Sequence, residues 1–277
     1  MKNNRELDKR DSIKVVTSNE FIKIAGLHKL SIKAIKLLYL IIAQCKKDDK
    51  EFYYVEVTPI ELANLWGIKK QSVYKSLKEV SVELITLYAD IERKEFEEFE
   101  HIPLFAKSSY ITDEKTNKKK YIAKLNDEAK IFFLGLQKNF CQILLEDFNK
   151  MKLVNSVLIW HMMQAKLKTK DKKPAGYKII KVTATIDELR RLSGTENKLK
   201  TLKDFKRYML DKAIKEISET LNIDISYRSI KEGRKTIGFE FTLKNKHAIS
   251  YDKLSNKAKD LIDKTKKIEF LPIYNNI

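Results

Sequence analysis

Thr58-Pro-Ile-Glu-Leu-Ala-Asn-Leu-Trp-Gly67 and Thr185-Ile-Asp-Glu-Leu-Arg-Arg-Leu-Ser-Gly194 are two copies of one pattern, T-x-x-E-L-x-x-L-x-G, set 127 positions apart (58 to 185, 67 to 194). Each position has a mechanical reading. Thr58 with Glu61, and Thr185 with Glu188, form a capping box, in which hydroxyl and carboxylate satisfy the free N–H groups of a helix start. Leu62 and Leu65, then Leu189 and Leu192, give each short helix one buried face. Gly67 and Gly194 supply the left-handed conformation that ends it. A short capped helix, a glycine and a second helix make a helix-turn-helix.

The second helix follows in both copies. Val73, Leu77, Val80 and Leu84 recur at steps of four, three and four; after about Leu199, Phe205, Met209, Ala213 and Ile217 draw a second stripe. Matching Glu83-Leu84 to Glu216-Ile217 gives an offset of 133, so the second copy carries about six extra residues in its turn or helix start. Strand-like stretches come next. Leu87 to Glu92 leads to a long hairpin over Ile102–Leu125 with a polar turn at Thr112–Lys120, and Ile223–Tyr227 and Thr236–Leu243 bracket the basic turn Lys231–Lys235. Each module also opens with a helix: Ser31 caps one from Ile32 to about Lys46, apolar nearly all round and therefore buried, and Leu153 to about Lys166 holds the same place later. The fold class is α+β: two tandem winged-helix domains related by a pseudo-repeat. The expected divisions are a flexible N-terminus (1–11), a first domain (12–148), a second (149–246) and a polar tail (247–277).

With the first stripe inward, Gln71, Lys75 and Lys78 fall opposite it at i, i+4 and i+7, with Lys69, Lys70 and Ser72 at the helix start. In the second copy Lys200, Lys203 and Arg207 share the outward face and Lys198 precedes them; Lys206 falls toward the buried side, on the flank, and is counted with them as a DNA-contact candidate. Taken singly, each lysine reads as a solvated charge. Two basic faces at equivalent places of a repeated fold read as an interface for double-stranded DNA, because helix-turn-helix proteins read base edges with the start of this helix. Gln can bond an adenine edge in two places, and Lys reaches guanine or phosphate. Lys231, Arg234 and Lys235 stand where a wing touches backbone or minor groove; Lys118–Lys120 on the first wing read equally well as solubilising charge. Phe96-Glu-Glu-Phe-Glu100 is acidic and is expected to face away from DNA.

Composition agrees. Lys and Arg number 56 against 38 Asp and Glu, a net charge of +18, which attracts polyanions. An apolar share of 43% suffices for packed cores, and 277 residues suit two domains better than one. The longest apolar run, Leu37 to Ala43, is too short to cross a bilayer, and the charged N-terminus lacks a secretion signal, so a cytoplasmic protein with no membrane partner is expected. Cys45 and Cys141 read as two buried thiols without a disulfide.

Catalysis is not expected, nor any cofactor or metal. The chain lacks G-x-x-x-x-G-K-[ST], the phosphate cradle of a P-loop ATPase. His28, His101, His161 and His247 are scattered, without metal-ligand spacing and without the clustered histidines that a metal-dependent nickase sets beside its tyrosine. His161, next to Trp160 and Met162, reads as a core or interface residue.

From about Val15 to Leu243 the chain resembles the initiator Rep proteins of iteron-bearing, theta-replicating plasmids. The resemblance rests on Val15-Val-Thr-Ser-Asn19, Leu30-Ser31, Leu37 to Asp49, Pro103-Leu-Phe105, Leu136-Gln-Lys-Asn-Phe140, Asp204-Phe-Lys-Arg207, Leu210-Asp211, Ala213-Ile-Lys-Glu-Ile217 and Ile230 to Lys235. It departs at Lys212, where the family has proline, and at Ser156–Trp160, where the family's Ser-x-Arg-Leu-Tyr is missing. The resemblance implies monomers that bind repeated origin sites with both modules. It also implies dimers, paired through the first domain, that repress their own gene at an operator, and host initiator and helicase proteins as partners. A tandem winged-helix transcriptional regulator is the rival among binding proteins, a nickase or recombinase among enzymes.

Overall fold

The computed structural model describes residues 4–5, 7–8, 13–24, 26–167 and 179–245, and the chain divides into two compact units, Met1–Val154 and Asn155–Ile277. The expected 247–277 tail lies outside the described residues.

The first unit runs β1 (Asn4–Arg5), β2 (Lys14–Ser18), α1 (Phe21–Ile24), α2 (Ile32–Ile42), β3 (Tyr54–Val57), α3 (Pro59–Trp66), α4 (Val73–Ile85), β4 (Tyr88–Arg93), β5 (Glu98–Pro103), β6 (Phe105–Thr112), β7 (Lys119–Leu125), α5 (Lys130–Phe133), β8 (Phe140–Leu144) and α6 (Leu145–Lys150). Helix α2 is its axis. Ser31 Oγ accepts from Ala34 N at 3.2 Å to cap it, and every residue from Leu37 to Ile42 is buried. Its two lysines reach out of this apolar surround to donate elsewhere, Lys33 to Ser76 Oγ (2.8 Å) and Lys36 to the Asn149 carbonyl (2.6 Å). The helix ends at Ile42 rather than near Lys46, where the Lys46 N–H instead turns to Asp49 Oδ2 at 2.7 Å.

Two features differ from the sequence expectation. The N-terminal stretch contributes β1, paired parallel to β3 through Asn4–Tyr54 and Arg5–Val55, so part of 1–11 is structured. The expected hairpin forms from β6 and β7, starting at Phe105 rather than Ile102, and a second hairpin that the sequence reading did not anticipate precedes it. β4 pairs with β5 alone, while β6 and β7 join β1 and β3 in one sheet of order β1-β3-β7-β6. The break is Leu104, fully buried, whose N–H donates to Leu87 O and whose carbonyl accepts from Asn126 N, each at 2.9 Å. A buried residue pinned on both backbone sides cannot sit in the middle of a solvent-exposed ribbon.

Asn149–Val154 belong to the first unit, beyond the expected boundary at 148. Phe148 stacks on Tyr39 at 4.1 Å, and Met151 is fully buried, so apolar burial carries the chain past α6 before it leaves.

The second unit takes α7 (Val154–Lys166) from Asn155 onward, then β9 (Ile180–Thr185), α8 (Ile186–Ser193), α9 (Leu202–Phe205), a π-helical turn (Lys206–Leu210), α10 (Asp211–Thr220), β10 (Ile223–Glu232) and β11 (Lys235–Asn245). Its antiparallel sheet has the order β10-β11-β9. Segments α9, the π turn and α10 form one continuous helix. Each unit is thus a helix-turn-helix followed by a β-hairpin wing, and the fold is two tandem winged-helix domains.

Neither cysteine is in a disulfide; Cys141 is buried, which pushes its thiol up to about 11, and Cys45 is half-buried. Among the described residues no helix is long and apolar enough to cross a membrane.

His161 is fully buried in α7, and desolvation lowers its pKa to about 3 from an ordinary 6.5. Folded His161 refuses the proton that the unfolded chain accepts, so stability is complete above about pH 6.5 and falls as pH drops toward 3. The decline from this group approaches about 1.4 kcal/mol per pH unit. Urea unfolding at pH 7 and pH 5 checks this. His161→Gln is expected to flatten the difference, and an equally steep decline in that variant would contradict the assignment.

Candidate nucleic-acid interface

The first helix-turn-helix has a complete capping box: Glu61 N donates to Thr58 Oγ1 at 3.3 Å, and Thr58 N donates to Glu61 Oε2 at 2.8 Å. Gly67 ends α3 at φ +63°, and Leu62 and Ala63 are its buried residues. After a 3-10 turn over Lys70–Ser72 comes α4, whose buried residues are Val73, Leu77, Val80 and Leu84, the four that periodicity selects. Consequently Gln71, Lys75 and Lys78 are exposed along the opposite face, and Lys69, Lys70 and Ser72 are exposed at its start. The helix is fixed from two sides. Glu83 Oε2 accepts from Ser31 N (2.5 Å), and Ser81 and Ser108 share a hydroxyl hydrogen bond (2.5 Å) that ties α4 to β6.

In the second copy the box is only half made. Glu188 N donates to Thr185 Oγ1 at 3.1 Å, but the Glu188 carboxylate takes Lys166 Nζ at 2.7 Å instead of reaching back to the cap. Thr185 also ends β9, in register with Gly238, so strand pairing takes over at the cap residue. Gly194 adopts φ +61°, matching Gly67. The second helix has a cap of its own that periodicity alone missed: Asp204 N donates to Thr201 Oγ1 (3.1 Å) and Thr201 Oγ1 donates to Asp204 Oδ2 (2.7 Å). The helix therefore begins at Leu202, after Leu199.

The extra residues of this copy now have places. Val73 aligns with Phe205 at an offset of 132, against 127 at the glycines and 133 at Leu84 and Ile217, so five residues lie in the turn and one in the helix. That single residue is the π turn Lys206–Leu210. Steps of four overshoot an α-helical turn by about 40° each, so Phe205, Met209, Ala213 and Ile217 would drift off the core; a wider turn absorbs the drift. All four are buried, and Leu210 and Ile214 with them.

The outward face carries Lys203 and Arg207, equivalent at offset 132 to Gln71 and Lys75, and Lys198 and Lys200 are exposed in the turn before it. Lys206 stands apart, half-buried, its ammonium 5.6 Å from the Tyr227 ring centre and 5.8 Å from that of Phe239. It braces the helix on its own sheet, which sets it apart from the DNA-contact candidates among which the sequence reading counts it. Sequence reasoning missed Tyr208, exposed at 46%, with the Arg207 guanidinium (5.2 Å) and the Lys212 ammonium (5.4 Å) over its ring. It also missed Tyr74, 61% exposed on α4 and 5.9 Å from Tyr110 of β6. Both tyrosines lie off the apolar stripe, the one signal that would have marked them.

On the second wing Lys231, Arg234 and Lys235 are all exposed, around a turn in which Gly233 takes φ +57°. On the first, Lys118 and Lys119 are exposed but Lys120 is not. Its ammonium bridges Asp113 (2.7 Å) and Glu56 (2.9 Å), and it holds the Asp113 carboxyl far below the usual carboxylate range. The acidic stretch forms the separate β4–β5 hairpin, with Phe96 and Phe99 at 70% and 74% exposure.

Family models match both units: "Initiator Replication protein, WH1" over residues 14–164 and "Initiator Rep protein, WH2" over residues 185–243. The chain belongs to the initiator Rep protein family. The WH1 match spans the first helix-turn-helix and its wing, and the WH2 match runs from Thr185 through the second. Among solved structures, the crystal structure of the Pi initiator protein in complex with iteron DNA matches with a TM-score of 0.68 and 18% identity, covering 86% of this chain and 99% of that one. At this identity the likeness is one of fold.

Adjacent residues of this initiator's second helix should behave oppositely. Arg207→Ala is expected to cost about 1–3 kcal/mol in affinity for a specific duplex, beyond any small loss of stability from its exposed contact with Tyr208. Lys206→Ala is expected to lose a cation–π brace of about 0.5–1 kcal/mol of stability and change duplex affinity less than twofold. Equal affinity losses in the two variants would overturn the assignment of their faces.

Proposed function

We propose that this chain is a plasmid replication initiator that binds double-stranded DNA at repeated origin sites, placing α4 of the first domain and the Leu202–Thr220 helix of the second into DNA. The carrying observation is the equivalence of the two exposed polar faces, Gln71 and Lys75 in one, Lys203 and Arg207 in the other, in a member of the initiator family. That the Pi initiator was solved with iteron DNA supports the same reading. Recognition divides by residue type. Gln71 and Arg207 suit bidentate bonds to adenine and guanine edges, and Lys69, Lys70, Lys75, Lys78, Lys198, Lys200 and Lys203 suit phosphate or guanine. Lys231, Arg234 and Lys235 on the second wing hold the duplex without reading it.

The role is binding without covalent chemistry on the DNA. In this reading the protein acts in the cytoplasm, pairs through its first domain when it represses its own gene at an operator, and hands the opened origin to host initiator and helicase proteins.

A salt series on an origin fragment carrying direct repeats tests the binding. With on the order of 8 phosphate contacts, log K is expected to fall against log salt with a slope of about −7; a slope near zero would end the nucleic-acid reading. Replication of an origin plasmid supplied with the chain in trans separates an initiator from a regulator. Repeat binding without replication would favour the regulator, and a covalent protein–DNA adduct on supercoiled origin DNA would favour an enzyme.

A further inference from the structure

The five residues that lengthen the second helix-turn-helix are organised by one side chain. Arg190 Nη1 donates to the carbonyls of Thr195 and Lys198, both at 2.9 Å, and Nη2 donates to those of Leu199 (3.0 Å) and Lys200 (3.3 Å). The guanidinium also lies 4.8 Å from the ring centre of Phe205, the first buried residue of the following helix. The backbone it grips is not relaxed: Leu199 holds φ +48°, a left-handed conformation that costs a side-chain-bearing residue free energy and persists only where surroundings impose it. Turn bonds close the same segment, Thr195 N to Arg190 O (2.8 Å), Lys198 N to Thr195 O (3.1 Å) and Ser193 Oγ to Thr195 Oγ1 (2.8 Å).

The first module lacks this device. Its residue at the position of Arg190 is Ala63, whose carbonyl accepts from Ile68 N at 3.0 Å just as the Arg190 carbonyl accepts from Thr195 N, but alanine has no side-chain donor and the turn lacks the five inserted residues. The inserted residues and the arginine therefore occur together. The segment that Arg190 holds carries Lys198 and Lys200, both exposed, and leads directly into Lys203 and Arg207.

We propose that Arg190 is a positioning residue: it presets the Thr195–Lys200 arm in the free protein, so that Lys198 and Lys200 meet DNA as part of one rigid surface with Lys203 and Arg207. The proposal rests on the DNA-binding reading above. A preset arm avoids the ordering cost that a loop incurs on binding, so the gain belongs to the specific complex. Random duplex, held by diffuse charge, tolerates a loose arm. Lysine cannot replace the arginine, because an ammonium presents three donors at a point rather than a planar fork spanning four carbonyls.

The test is R190K in the full chain, beside K198A/K200A and the triple variant, on repeat-bearing and random duplexes. R190K is expected to weaken repeat binding tenfold or more and random binding no more than twofold, and to add little in the K198A/K200A background, as partners in one mechanism do. Unchanged repeat affinity in R190K would overturn the proposal, since charge is retained and geometry alone is lost. So would a loss that adds fully to that of K198A/K200A. Hydrogen exchange in the unsubstituted chain gives a reading that depends on no variant folding: the Thr195 and Lys198 amides are expected to be protected before DNA is added, and protection arising only with DNA would overturn presetting. Should the native chain not prefer repeat DNA at all, the functional reading fails, while the exchange measurement still decides whether the arm is preset.

Discussion

Burial of one apolar stripe on each second helix is the constraint from which the interface follows. Val73, Leu77, Val80 and Leu84 in the first domain, and Phe205, Met209, Ala213 and Ile217 in the second, are all buried. Burying a Val, Leu, Ile, Phe or Met side chain stabilises by roughly 1.5–3 kcal/mol, whereas an exposed ion pair contributes about 0–1 kcal/mol. The stripe therefore sets how the helix rolls on its domain, and the charges take the face that remains. In the second domain that same demand forces a change in the helix. Four apolar residues at steps of four spread over about 120° around a regular α-helix, and the π turn at Lys206–Leu210 narrows that spread. Lys206 is drawn against Tyr227 and Phe239 while Arg207, its neighbour, stays exposed.

Much of this was legible in the sequence because it is local. Threonine caps, left-handed glycines and apolar periodicity depend on residues within a turn or two, and Thr58, Gly67, Gly194 and both stripes behave as those rules require. What sequence reasoning missed depends on distant partners. Nothing near Glu188 reveals that Lys166 will take its carboxylate, and nothing near Leu104 reveals that Leu87 and Asn126 will pin it and set a separate β4–β5 hairpin ahead of the expected one. Arg190 looks like one more exposed helix cation until the carbonyls of residues five to ten positions later turn back toward it. Asn4–Arg5 form a strand only because β3 offers an edge.

Charge is sorted over the fold in a way the net value of +18 conceals. Some lysines are spent on internal brackets: Lys120 between Asp113 and Glu56, Lys166 on Glu188, Lys33 on Ser76 and Lys36 on Asn149. Acid is concentrated on the β4–β5 hairpin, a sheet of its own outside the one that carries the wing. What remains exposed and basic at the two helix starts and on the second wing is a small set, repeated at equivalent positions. Repetition, rather than total charge, is the argument for a DNA interface.

The central claim is that both domains engage one duplex at once, and base-pair insertion between the two half-contacts of a single origin repeat tests it most directly. Two linked modules bind about a hundredfold or more tighter than either alone, provided both helices meet the DNA together. Inserting about five base pairs, half a helical turn, moves one half-contact to the opposite face. The account predicts that most of the gain disappears with that insertion. Affinity that survives it unchanged would mean that a single domain reads DNA, and would contradict the account.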